Sequence, residues 1–289
     1  MLPPTRPSTP PVATGIAGRS ALGPLVAAIV VGGISVPSPA TADPPADAVV
    51  IPAGTFQQGS AREPDAPERT VQLPAYRIGR TEVSVDAFAA LEAAGGYTSP
   101  RWWTDDGRTW LAANPGGAGA EHRAAGRSGD HPVVAVTRFE AEAYCAWSGG
   151  RLPTEAEWER AACGTDDRRF PWGDDESADA RWYAGGKFGA LTRVETAPAG
   201  EQDAALASPS GTLHMAGNVW EWTADRYHAR AWGGTGTTAP LSTANTPWNT
   251  LRGGSFMNLP SYCSCQHREP ARPERVAYTV GFRCVWEAP

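Results

Sequence analysis

The chain has 289 residues, 41% of them hydrophobic and 19% charged, which allows one large domain or two small ones and argues against wholesale disorder. The formal net charge is -6, from 25 basic and 31 acidic residues, and no Lys/Arg run occurs, so nucleic acid is not an expected partner. Twelve Trp beside 32 Gly and 27 Pro point to an irregular, loop-rich fold plugged by large rings, with few long helices.

The N-terminus reads as a secretory signal over residues 1–42. Arg6 and Arg19 precede an apolar stretch from Ala21 to Val36, and Ala40-Thr41-Ala42 offers an A-x-A cleavage site. Gly and Pro interrupt the apolar run, which is short for a membrane span; an uncleaved anchor is the alternative. No twin-arginine pair is present, so general secretion to the periplasm or medium is expected. Residues 43–48 read as a linker and residues 49–289 as the mature domain. Export permits disulfides. Cys145, Cys163, Cys263, Cys265 and Cys284 are an odd set, so at least one thiol stays unpaired within the chain.

Val49 to Gly59 reads as two short strands around a turn, and a second strand pair is expected at Arg69–Leu73 and Tyr76–Arg80. Val83 to Glu92 shifts to helical spacing, with Ser84 as N-cap and Val85, Phe88 and Ala89 on one face. Gly95 to Gly129 shows little regular pattern and is expected to be a surface excursion carrying Trp102, Trp103 and Trp110. It either packs over the core or shapes a groove. His131–Val136 reads as a buried strand. Thr137 with Glu140, and Thr154 with Glu157, are two capping boxes, each opening a short helix. Glu155, Glu157 and Glu159 are expected to serve the second helix's dipole. Phe170–Asp174 is a turn, and Gly281–Val285 is a short strand.

The series IPAGTF, HPVVAVTRFEAEAYCAW, GGRLPTEAEWERAA, FPWGD, GNVWEW, RGGSF and GFRCV, in that order, resembles the formylglycine-generating-enzyme, or sulfatase-modifying-factor, family across residues 49–286. The resemblance implies a single α+β domain, low in regular secondary structure and C-type-lectin-like. It also implies disulfides Cys145–Cys284 and Cys163–Cys265, which leave Cys263 free. A Cys163–Cys263 bond is the alternative, because sequence does not fix connectivity.

In the family's founding enzymes two cysteines of the C-terminal segment bind copper(I), and a sulfatase cysteine is oxidised to formylglycine. Here the second position is Cys263 and the first is Asn258, whose amide oxygen is a poor copper(I) ligand. Ser255 lies beside that site in the family. The resemblance places a calcium ion at Gly217, Val219 and Glu221, but its further oxygen donor is His214 here, which weakens the site. A second calcium site is expected to be lost through Arg181.

The iron motif His-x3-His-x-Glu of sulfoxide synthases is absent from the sequence. His267 lies near Cys263 and reads either as a thiolate partner or as a surface loop residue. Tyr262 reads as a packed ring, with a redox-active phenol as the alternative. Three functions follow from the resemblance. The first is a periplasmic copper- or iron-type oxidase of a small molecule or peptide, like the family member that matures the pyoverdine chromophore, with Cys263 at its centre. The second is a non-catalytic accessory module, like those found with copper nitrite reductase. The third is a true formylglycine-generating enzyme, which Asn258 disfavours. The expected partner is a small molecule or an exported protein, and a monomer is expected.

Overall fold

Strand-forming runs from Val49 onward are short because Pro and Gly punctuate them, and they recruit partners from distant segments. The computed structural model of the chain describes residues 44–119, 129–176, 196, 207–228, 232 and 237–288. Residues 1–42, read above as a signal, and His122 and Arg181 lie outside the described residues.

Strands β1 (Val49–Ile51) and β4 (Tyr76–Ile78) pair antiparallel, Val49 opposite Ile78, and β9 (Val285–Glu287) completes that sheet on the far side of β4. Strands β2 (Gly54–Gln58) and β3 (Arg69–Leu73) form a two-stranded ladder, Phe56 opposite Val71. The four strands are therefore where the pattern puts them, but with other partners: β3 joins β2, not β4. The third sheet has the order β7-β6-β5-β8, from β5 (Trp220–Arg226), β6 (Asn249–Arg252), β7 (Glu269–Ala271) and β8 (Val280–Gly281). Only the β5–β8 contact in it is parallel.

Helix α1 (Val85–Ala93) starts where Ser84 accepts the Ala87 amide. Its buried side chains are Phe88 and Leu91, while Ala89 is exposed; the apolar face is thus rotated from the expected one. The Trp-rich stretch after it is more regular than its composition suggests. A 3-10 turn (Pro100–Trp102) leads into α2 (Asp105–Ala113), capped by Thr104, and Trp103 and Leu111 pack on Phe139 and Ala143. Its described part does both things expected of it: it packs over the core and lines a groove of about 440 Å³ with Asp106, Thr109, Trp110, Ala113 and Asn114.

Residues 132–136 are buried as expected but form no strand. Val133 N–H donates to Val83 O and Ala135 N–H to Ala277 O, so this stretch bridges two distant segments rather than extending one ladder, and Ala135 has φ +57°. Both capping boxes are present, opening α3 (Arg138–Trp147) and α4 (Glu155–Cys163). Disulfides Cys145–Cys284 and Cys163–Cys265 fix each of these helices to the C-terminal segment; Cys263 is the free cysteine, so the alternative bond is excluded. The α+β class expected from the sequence is the one observed.

Glu155 and Glu159 do not serve the helix dipole from the surface. Both are buried, one turn apart on the same face of α4. Arg252 spans them, with Nη1 3.1 Å from Glu155 and Nη2 2.7 Å from Glu159, and Arg268 grips Glu155 at 2.6 and 2.9 Å. Glu157 does act in its capping box and also pairs with Arg151 at 2.6 Å.

Asp225 sits beside this group, accepting the amides of Ser242 and Glu155 at 2.7 Å each. Burial, with the Glu155 charge adding to it, pushes Asp225 from 3.8 up to about 7. A carboxyl raised on folding binds its proton more tightly in the native state. Its stabilising contribution is therefore complete below the unfolded value and is lost as pH rises towards 7. Replacing Asp225 by Asn should flatten the decline in urea midpoint between pH 4 and 7 relative to the parent chain. An identical decline in both proteins would contradict this.

Candidate functional site

Strand β6 ends in Arg252, and two glycines then reverse the chain. Gly253 and Gly254 have φ +89° and +71°, the left-handed region that side chains other than glycine's rarely adopt. Space demands glycine at 254 as well: a Cβ there would fall on the Sγ of Cys263. The loop continues through Ser255 to a 3-10 turn (Pro260–Cys263), which returns Cys263 beneath Gly254.

Within the loop, Ser255 and Asn258 are brought together. Ser255 donates to the Asn258 Oδ1 twice, from its N–H at 3.0 Å and its hydroxyl at 2.6 Å, while Asn258 N–H returns a bond to Ser255 O. The Asn258 amide oxygen is therefore the clasp of a side-chain-closed turn. The GNVWEW segment supports the same loop. Gly217 N–H donates to Gly253 O at 2.7 Å, and Phe256 N–H donates to Asn218 O at 2.9 Å.

Cys263 is fully buried against Ala216 and Trp172. Burial pushes its thiol well above the ordinary range, and the backbone amides of Ser255 and Gly217 offset this only in part, so the resting group is a neutral thiol. Trp172, stacked on Phe170 at 5.2 Å, separates Cys263 from a cleft of about 350 Å³ lined by Asp166, Asp167, Arg168 and Asp174. On the other side the loop exposes Met257, Leu259 and Tyr262, the first at 68%. Tyr262 is 42% exposed and packs edge-to-face on one side only, against His267. His267 is no bare surface residue: its ring lies 5.1 Å from Tyr262 and 6.0 Å from Trp220, with Nδ1 3.6 Å from Glu63.

The family's two-thiolate copper(I) site does not fit these residues. Cys263 offers one soft donor, and the position of the second holds an amide oxygen already bound twice by Ser255. Among the described residues, no three or more His, Cys, Asp or Glu side chains gather at metal-holding distance.

The calcium donor set does not fit either. Both oxygens of Glu221 are taken, by Arg283 Nε and Nη2 at 2.7 Å each and by Trp158 Nε1 at 2.8 Å. A divalent cation at Glu221 would have to displace or face that buried guanidinium. Gly217 and Val219 contribute backbone only, and His214 lies 2.9 Å from Glu82 rather than turned towards them. Glu82 in turn accepts from Asn218 at 3.0 Å, and the neighbouring imidazole and Arg283 hold its carboxyl below the usual range despite burial.

Sequence reasoning missed this second buried cluster of Glu82, His214, Asn218, Glu221 and Arg283. Its signal was faint: Glu82 stands 132 residues from the histidine it contacts. The Glu155/Glu159 pair had a clearer one, because carboxylates at i and i+4 share a helix face and call for a cation opposite.

A family profile described as the sulfatase-modifying factor enzyme 1-like domain matches residues 34–288. The hercynine oxygenase of Mycolicibacterium smegmatis is 35% identical over 269 aligned residues, which cover 83% of this chain and 61% of that protein. The formylglycine-generating enzyme of Streptomyces coelicolor is 31% identical over 309 aligned positions, covering 88% of this chain and 96% of that enzyme. Among solved structures, PvdO from Pseudomonas aeruginosa superposes with a TM-score of 0.65 at 24% identity, covering 83% of this chain and 94% of its own, a likeness of fold.

Proposed function

Because the chain belongs to the sulfatase-modifying factor family, we propose that it is an exported, metal-dependent oxidase of a small molecule or peptide bound over the Ser255–Cys263 loop. The observation that carries this reading is Cys263. It is the one cysteine outside the two disulfides, and it sits directly under the glycine turn beside an exposed apolar rim of Met257, Leu259 and Tyr262. The names borne by the relatives, hercynine oxygenase and formylglycine-generating enzyme, supply the reaction class. Two disulfides suit an oxidising compartment such as the periplasm. Among the described residues, no helix is long and apolar enough to cross a membrane.

In this reading Cys263 would be the single soft donor the chain offers a copper or iron ion, and its thiol proton would have to leave on binding, so affinity would rise with pH. Ser255, held by Asn258, fixes the turn above it and presents the loop backbone to the substrate. Formylglycine production itself is disfavoured, because Asn258 replaces the cysteine that the family's reaction uses.

A second reading, a non-catalytic accessory module of the kind found with copper nitrite reductase, is favoured by one specific observation. Cys263 rests neutral and shut behind Trp172. Metal analysis, thiol counting and oxygen uptake on the exported, folded protein separate the two. The oxidase reading expects stoichiometric metal, one thiol that reacts with disulfide reagents only on unfolding, and oxygen uptake that Cys263→Ser abolishes. Absent metal and absent uptake with copper or iron supplied would sink it and leave the accessory module.

A further inference from the structure

A cavity of about 310 Å³ opens on another part of the molecule, and no residue of the 253–268 loop lines it. Its walls come from the segment before β1 with Asp47, the stretch from β4 into α1, Asp130, the C-terminal end of α3, and the β9 segment. The aromatic wall is Tyr144, Trp147 and Trp286. Tyr144 and Trp147 stand 5.6 Å apart at 50° and so form a corner rather than a flat stack. Trp286 is held in place by its N–H, which donates to Ser148 O at 2.9 Å.

Two features make this a site rather than a packing gap. Tyr144, 8% exposed, lines the cavity, and burial lifts its hydroxyl to about 12, so it is a neutral donor and acceptor there. A polar group so placed, on a wall of the cavity, can bond a ligand or water. The charged side chains on the cavity are also unequal. Asp47, Glu82 and Asp130 stand against Arg80. Glu82 is committed to His214 and Asn218, and Arg80 is exposed at the rim. Asp47 is likewise exposed and lines the same cavity.

We infer that this cavity binds a small organic ammonium ion with an apolar body, its charge facing the Tyr144–Trp147 corner and Asp47, its carbon skeleton against Trp286. Ring faces attract a cation through their quadrupole, a carboxylate adds to that field, and the volume suits a ligand of about ten heavy atoms. The Tyr144 hydroxyl accepts an ammonium N–H. The inference is independent of the oxidase reading, since it concerns different residues and needs no metal.

The test is calorimetric titration of the full-length chain with phenethylammonium chloride and with the neutral isostere 2-phenylethanol. Saturable binding of the ammonium is expected, about tenfold or more tighter than the alcohol. Tyr144→Phe keeps the ring packing and Asp47→Asn is a surface change, so both variants should fold. Each should weaken the ammonium by about three- to tenfold and leave the alcohol unchanged. Equal affinity for the two probes, no saturation, or ammonium binding indifferent to both substitutions would overturn the assignment.

Discussion

Replacing Arg252 by Met should cost about 3–5 kcal/mol of folding stability and lower the melting temperature by roughly 10 °C. The side chain is fully buried, and three acceptors depend on it: Glu155, Glu159 and the Cys265 carbonyl at 2.6 Å. Met approximates its volume, so little of the loss comes from a cavity. The loss comes from the carboxylates left behind. Glu155 keeps Arg268, but Glu159 keeps only the Gly59 amide, at 2.6 Å.

Burial already holds the Glu159 carboxyl above its usual range with the guanidinium in place; without it, the folded value rises further. A raised folded value means stability is lost as pH climbs, so the Arg252→Met deficit should be larger at pH 8 than at pH 5. Thermal unfolding at the two pH values measures both. A melting temperature within 2 °C of the parent at pH 8 would mean that desolvation of the network roughly cancels its attraction.

The second large effect concerns copper. Asn258→Cys should raise copper(I) affinity by orders of magnitude, measured anaerobically by competition with a chromogenic chelator. Two thiolates suit the linear coordination that this ion favours, while one thiol and one amide oxygen do not. The Asn258 clasp is lost in the variant, because a thiol is a weak acceptor for the Ser255 amide and hydroxyl. The loop remains tethered by the Gly217–Gly253 and Phe256–Asn218 backbone bonds. The double variant Asn258→Cys/Cys263→Ser should return to the parent affinity. No gain in the single variant would show that this loop does not hold positions 258 and 263 at copper-bridging distance.

Local rules carried well where the determinants are local. The two T-x-x-E boxes gave both central helices, because cap and acceptor lie three residues apart. The family resemblance gave both disulfides. Failure came where the partner is distant. His131–Val136 has strand composition, yet its amides go to Val83 and Ala277, and no spacing rule foretells that. The helix of Asp105–Ala113 was hidden because its apolar content is concentrated in Trp110 and Leu111 beside four polar or charged neighbours. At the candidate site, sequence named Ser255, Asn258 and Cys263 but not their arrangement. The Asn258 clasp on Ser255 is a local turn that the composition of the loop did not single out, whereas the packing of Trp172 against the Cys263 cluster joins segments some ninety residues apart.

The sheet joining β1, β4 and β9 has one more consequence. Its middle strand pairs Tyr76 with Glu287, so the first sheet of the domain cannot close until residues 285–287 have been made and delivered. The Cys145–Cys284 bond, between residues 139 apart, imposes the same delay on α3. A nascent chain of this design emerges without that sheet complete. Its folding is expected to be slow and all-or-none, dominated by far-apart contacts. Chains cut short before β9 should fail as a class and be cleared by proteolysis, which makes the last strand a checkpoint for the whole domain.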